Sequence, residues 1–337
     1  MTAAEAPAVP LRLRHPVLWY AARRIVAGVV TLFVLSAVVF FATSILPGDA
    51  ASSLLGKNAS GEALALLRHE MGLDQPLLQQ YGDWLGGLLH GDFGRSAAGF
   101  AAGGEVTVWS QISGPLAASA QLALVAFIPI VVVSVALGIL SALRAGRWTD
   151  HLISALTIVP AAVPEFVLGA VLLVVFFGWL KVLPPVSLVQ PGESPLAKPE
   201  LLVLPVLTLV GVTAGPGARM VRAGVIETLE SDYVAAARLN GVRERKVVLR
   251  YAVRNALAPS IQVLALVVQY LIGGMLIVEY LFGYPGIGKE LVDAITIHDT
   301  SEVQSVSMLL AAIYVGVTIV ADLIVVVLVP KLRTGAP

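Results

Sequence analysis

Six long apolar runs constrain this chain more than any other feature. They cover residues 25–46, 116–143, 152–180, 201–218, 256–278 and 303–329, and they contain only two charged residues, Glu165 and Asp322. Each has the ~18 to 20 residues that a helix rising 1.5 Å per residue needs to cross a ~30 Å hydrocarbon layer. Lipid offers no partner to an exposed N–H or C=O, and no alternating ten-residue barrel pattern is present, so these runs must be helical. The expected fold is an all-α integral membrane protein with six transmembrane helices. Composition agrees: 57% of the 337 residues are hydrophobic and 13% are charged, against about 25% charged in soluble domains. Run 201–218 is the shortest and carries Pro205, Gly215, Pro216 and Gly217, so it is expected to kink and to pack against protein. The first run follows Arg23 and Arg24 but is longer than the ~7 to 15 apolar residues of a secretory signal, and Leu46-Pro47-Gly48-Asp49 is no small-residue cleavage site.

The formal net charge is zero, so no global field points to nucleic acid. With no cysteine, disulfides and thiolate chemistry are excluded. Placement of charge is more informative. Sixteen Lys or Arg residues fall in the N-terminus, the 144–150 turn, segment 219–255 and the C-terminus, and six fall in the alternate loops. Positive residues accumulate on the cytoplasmic side, so both termini of this multi-pass chain are expected there. The expected divisions are an N-terminal cytoplasmic segment 1–22, a first span 23–46, an extracytoplasmic helical loop 47–115, a core 116–330 and a cytoplasmic tail 331–337. Within the outer loop, 60–69 and 75–89 have helical spacing, with Ser60 and Asp74 as caps and Pro76 in a first turn. This small cap either seals the bundle or receives a partner.

Gly283-Tyr284-Pro285-Gly286-Ile287-Gly288-Lys289-Glu290 nearly spells a phosphate-binding loop. Glu290 stands where a magnesium-ligating Ser or Thr is needed, however, and no strand precedes the glycines, so a turn is expected instead. The five histidines, His15, His69, His90, His151 and His298, lie outside the runs without metal-binding spacing. No cofactor is expected on this chain, and it is not expected to be an enzyme.

Glu165 follows Pro160 and Pro164 halfway along the third run, where an ionised side chain costs about 3 kcal/mol. It either faces an interior cavity or is a structural acid. Asp322 reads as structurally paired, and Glu279 as a solvated interfacial acid.

Segment 219–255 carries eight basic and four acidic residues. At its centre, Asp232-Tyr233-Val234-Ala235-Ala236-Ala237-Arg238-Leu239-Asn240-Gly241 is a short helix with an alanine face, closed by a glycine suited to a left-handed cap. Small side chains permit close docking in a partner's groove, and Arg243, Arg245 and Lys246 add charge complementarity. Contact with anionic headgroups is the alternative reading.

This segment, followed by Arg250-Tyr251-Ala252-Val253-Arg254-Asn255-Ala256-Leu257-Ala258-Pro259, resembles the signature loop of permeases of binding-protein-dependent ABC importers of the dipeptide, oligopeptide and nickel family. Ile45-Leu46-Pro47-Gly48-Asp49, Met71-Gly72-Leu73-Asp74-Gln75-Pro76, Gly91-Asp92-Phe93-Gly94-Arg95-Ser96 and Val278-Glu279-Tyr280-Leu281-Phe282-Gly283-Tyr284-Pro285-Gly286-Ile287-Gly288 are similar to it too. The likeness runs from Arg23 onward. It departs at Ala235, where the general importer loop has a glutamate, at Thr318 and at Val329-Pro330-Lys331.

The resemblance implies a permease working with a second, related permease, a cytoplasmic ATPase pair that holds the ATP and Mg, and an extracytoplasmic substrate-binding protein. Asp232, Tyr233, Ala235, Ala236, Ala237, Arg238, Gly241, Arg243 and Arg245 are the expected ATPase-docking residues. Glu165, Phe166, Gln269 and Asp322 are candidates for the translocation path, and Tyr284, Pro285 and Gly286 for contact with the binding protein. Met275 and Met308 are the only soft donors in the runs, which favours peptide over bare nickel as cargo. The competing reading is a secondary transporter driven by an ion gradient through Glu165 and Asp322.

Overall fold

The computed structural model describes residues 16–45, 61–70, 73–96, 106–189 and 193–328. Ser60, Met71, Gly72 and the closing 329–331 stretch lie outside them. Among the described residues there is no strand, only an isolated antiparallel bridge between Arg95 and Thr107. The helices are α1 (Pro16–Ile45), α2 (Gly61–Glu70), α3 (Leu77–Leu89), α4 (Val108–Leu143), α5 (Trp148–Ala161), α6 (Glu165–Leu173), α7 (Val203–Leu229), α8 (Asp232–Leu239), α9 (Arg254–Phe282), α10 (Ile287–Thr296) and α11 (Thr300–Leu328).

Four helices are individually long and apolar enough to cross a membrane: α1, α4, α7 and α11. The third run is instead two helices, α5 and α6, bent by 104°. Pro164 disfavours a helical conformation at Val163 and has no N–H to give, so it stands at the N-cap of a new helix. α6 then widens into a π-helical turn over Val174–Trp179. The fifth run forms most of α9, which meets α10 at 66°. α4 begins earlier than its apolar run because the Thr107 hydroxyl caps it, accepting from the Ser110 N–H.

α7 matches the run whose prolines and glycines predict kinking, and it is one continuous helix through Pro216. It is also the most buried of the four: 56% of its apolar window is inside, against 11% for α11. α7 packs on α4, α9, α5 and α6, so its small residues serve close approach. A Cβ on Gly215 would lie 2.2 Å from the Thr157 carbonyl oxygen of α5, a separation only glycine permits. α1, by contrast, rests on α11 and leaves a broad apolar face open, including Val26, Val30, Phe33 and Val38.

In the outer-loop region, α3 folds back along α1. The Tyr81 hydroxyl bonds Ser36 at 2.8 Å, and Tyr81 and Trp84 pack on Phe40. The cap of α3 is Pro76, with no side-chain bond, and not Asp74. Asp74 instead lies 3.5 Å from the His69 ring.

Candidate functional site

The bundle has two ends. One, the basic end, carries the α4–α5 turn, the last turns of α7, and α8. The other carries the α9–α10 corner, the start of α11 and segments 90–96 and 106–107.

At the basic end α8 follows α7 after a two-residue turn. The Ser231 hydroxyl donates back to the Thr228 carbonyl at 2.5 Å rather than capping α8. Gly241 closes the helix at φ +72°, letting the Val242 N–H reach the Ala237 carbonyl at 3.1 Å. Val234 and Ala237 are buried against the chain's own bundle. Ala237 is therefore turned away from a docking partner, and the exposed small face narrows to Ala235 and Ala236. Asp232, Tyr233, Arg243 and Arg245 are on the surface.

Arg238 also has an internal task. Its guanidinium donates to both Glu244 oxygens, at 2.7 and 3.2 Å, and approaches the Leu229 carbonyl at 3.4 Å. It thus ties the end of α7, α8 and the following turn into one piece, and it holds the Glu244 carboxyl below the usual carboxylate range. Leu239, which sequence reasoning passed over, is 90% exposed at the tip of α8. Its signal was its place: a large apolar residue between Arg238 and the helix-ending Asn240-Gly241, with nothing of its own chain to cover it.

Behind α8 lies a buried carboxylate that the sequence did not mark. Asp150, in the first turn of α5, is 3% exposed. It accepts two bonds from Arg222 of α7, at 2.9 and 2.7 Å, one from the Gly146 N–H at 3.0 Å, and one from the Ser141 hydroxyl of α4. The partners are up to 72 residues apart, and no local pattern joins them.

The opposite end has a second carboxylate clasp. Glu279 is fully buried, which corrects its reading as a solvated interfacial acid. It accepts from the Ser119 hydroxyl of α4 at 2.5 Å and from the Gly288 N–H at 2.7 Å, while Ser119 accepts from the Ile287 N–H at 2.8 Å. The glycine turn that resembles a phosphate-binding loop therefore wraps an internal carboxylate at the N-terminus of α10, where the helix dipole favours negative charge. A Cβ on Gly286 would fall 2.2 Å from the Glu279 carboxyl carbon, and one on Gly288 2.5 Å from the Leu276 backbone. Tyr284 is buried beside them, its hydroxyl donating to the Ala118 carbonyl at 2.8 Å. Of the three candidates for outer-face contact, Tyr284 and Gly286 are inside the protein and only Pro285 is part-exposed. They are turn and clasp residues because the corner must close on Glu279.

Next to this clasp, segment 90–96 is fastened to the start of α11. The Ser96 hydroxyl donates to Asp299 at 2.8 Å, Ser305 donates to the Phe93 carbonyl at 2.6 Å, and Phe93 stacks on Trp109. The Asp92-Phe93-Gly94-Arg95-Ser96 stretch is thereby a structural buckle over the small core of Val108, Ile112, Ile287 and Val306.

The four path candidates do not converge within this chain. Glu165 opens α6 at the proline break, its carboxylate lying against Gly274 of α9, where a Cβ would meet it at 3.4 Å. Phe166 is 53% exposed on the other side. Gln269 donates to Thr318 of α11 at 3.4 Å. Asp322 pairs with Arg24 across the α1–α11 contact, which leaves it a structural partner rather than a free acid. Only Glu165 retains a carboxylate at a break between helices.

Comparison with known proteins follows this geometry. The family profile described as "Binding-protein-dependent transport system inner membrane component" matches residues 134–334, and one for the N-terminal part of such membrane components matches 17–103. The chain is 31% identical over 317 residues to the glutathione transport system permease protein GsiC of Escherichia coli (strain K12), covering 93% of this chain and 98% of that one. The GsiC of Shigella dysenteriae serotype 1 matches equally. A Brucella abortus protein, whose name assigns it provisionally to a peptide transport system as permease, is 32% identical over 314 residues, covering 92% and 98%.

Proposed function

From the premise that this chain belongs to the inner membrane components of binding-protein-dependent transport systems, we propose that it is one of two permease subunits enclosing a path for short peptides. In this reading each bent pair, α5–α6 and α9–α10, counts as one span, giving six. The basic end and both termini are cytoplasmic, following the Lys and Arg distribution. An ATPase pair on that side holds the ATP and Mg. The binding protein delivers peptide at the opposite end, where α2 and α3 form the outer loop within 47–115. Substrate of peptide type is supported by the names of the glutathione and peptide permeases that the chain resembles along nearly its whole length.

The observation that carries the proposal is α8. It is anchored by Val234 and Ala237, capped by Gly241, and continuous through a tight turn with the most buried helix of the bundle, while Ala235, Ala236 and Leu239 face outward. An exposed Ala-Ala-Leu ridge between basic residues fits a groove with an acidic rim. Closure of the ATPase pair would then push a rigid element rather than a loose loop. The ion-gradient reading needs two free intramembrane acids, and Asp322 is already paired with Arg24.

The test is peptide uptake by cells carrying Gly241→Pro or Leu239→Glu, with pull-down of the ATPase subunits. Both variants are expected to insert normally, to lose the co-purifying ATPases and to lose uptake. Normal uptake by Leu239→Glu with the ATPases still attached would refute the docking role of α8.

A further inference from the structure

We infer that Asp150 and Arg222 are positioning residues for energy coupling: their clasp carries displacement of α8 into α4 and into the α5–α6 break. The inference rests on the docking role of α8 proposed above and extends it inward.

The argument begins with connectivity. Arg222 lies seven residues before the end of α7, and α8 starts at Asp232, so both belong to one nearly continuous helical element. The Arg238 contacts with Leu229 and Glu244 brace the joint between them. A push on α8 therefore moves the Arg222 end of α7 with little bending. On the receiving side, Asp150 touches three segments at once: Ser141 ending α4, Gly146 in the turn, and its own α5.

Where those helices lead gives the clasp its meaning. α5 runs 14 residues to the break at Pro164, beyond which Glu165 begins α6 against α9. α4 runs the other way, and Ser119, one of its 36 residues, meets Glu279 well along the helix from Ser141. A single fork thus joins the docking helix to the intramembrane acid and to the opposite corner.

The chemistry suits transmission better than mere stabilisation. A buried ion pair is weak evidence of stability, since apolar residues of the same size often serve as well. A two-pronged guanidinium–carboxylate contact fixes orientation as well as distance, which a lysine ammonium cannot do. With Ser141 and Gly146 filling the remaining acceptor positions, Asp150 cannot rotate without losing several bonds together.

The experiment uses the complete importer, both permeases with the ATPases and binding protein, in liposomes, and measures peptide transported per ATP hydrolysed. Arg222→Lys keeps the charge and removes the fork. It is expected to retain assembly and peptide-stimulated hydrolysis, while the transport-to-hydrolysis ratio falls about tenfold, the size of an ordinary coupling free energy. Ser141→Ala leaves the fork but loosens its grip on α4, and is expected to lower the ratio about fivefold, at the low end of the same range. An unchanged ratio in the variants, or transport and hydrolysis declining in proportion, overturns the inference. Should Arg222→Lys fail to assemble, Ser141→Ala decides by the same ratio. Failure of the docking reading is separately visible, because the wild-type ATPases would then remain bound to the Leu239→Glu chain.

Discussion

Asp150 and Glu279 are both buried carboxylates, both held by a serine of α4, at well-separated points along that helix. Their partners differ. Asp150 faces a cation, the Arg222 guanidinium, together with neutral donors. Glu279 faces neutral donors, the Ser119 hydroxyl and the Gly288 N–H, at a helix N-terminus. If the first clasp opens, a guanidinium is stranded in a partly buried site. If the second opens, the fully buried Glu279 carboxyl is itself stranded. The two clasps differ when the acid is neutralised: without the Asp150 charge the Arg222 guanidinium is left unpaired, whereas without the Glu279 charge only neutral donors remain. The contrast teaches that the same residue chemistry on one helix can be an ion-pair lock or a neutral nest, depending on what packs against it.

The comparison can be broken by substitution. The largest effect is expected for Asp150→Asn, which leaves Arg222 without its counter-charge; removing one partner of a buried pair costs about 3 kcal/mol. A melting curve of the detergent-solubilised complex would show it, and a loss no larger than that of Glu279→Gln would erase the distinction. Next is Gly286→Ala, whose methyl group must expel the Glu279 carboxyl; forced overpacking of this kind costs about 2 kcal/mol. The same melt measures it, and Glu279→Ala in the same chain should relieve part of the loss.

Glu279→Gln keeps the shape and sacrifices charge-assisted bonding, with an expected cost of about 1 kcal/mol. Arg238 and Glu244 give the smallest effect. Both are well exposed, so solvent screening limits Glu244→Gln to about 0.5 kcal/mol at most. Because Arg238 lowers the Glu244 pKa, that contribution is present above the ordinary glutamate range and vanishes as pH falls through the lowered value. Raising salt should weaken it further, whereas the buried Asp150 clasp should respond far less.

Much of the architecture was legible from local chemistry. Four of the six apolar runs coincide with helices long and apolar enough to cross a membrane, and Asp232 to Gly241 read correctly as a short helix ended by a left-handed glycine. Pro160 and Pro164 drew attention to the third run, although the size of the bend came only with the fold. Pro205, Gly215 and Pro216 suggested a kinked α7, yet that helix is unbroken and central. Small residues look alike in sequence whether they bend a helix or admit a neighbour.

Exposure of the candidate residues was half visible in the same sense. Ala235, Ala236 and the flanking arginines are on the surface, while Ala237, Tyr284 and Gly286 face inward. A residue's side of a short helix or turn depends on which element packs beneath it, and a period of eight residues is too short to reveal that.

By itself the chain of residues determined which stretches are apolar and helical and that Gly241 ends α8, because these are settled by the solvation and backbone preferences of neighbours in sequence, whereas the start of α4, the cap of α3 and the continuity of α7 were not. Only the tertiary structure decided that Asp150 meets Arg222, that Ser119 meets Glu279, and that Ser96 meets Asp299, contacts spanning 72, 160 and 203 residues. Such pairings exist because burial removes water from a polar group and obliges it to find whatever partner packing brings near.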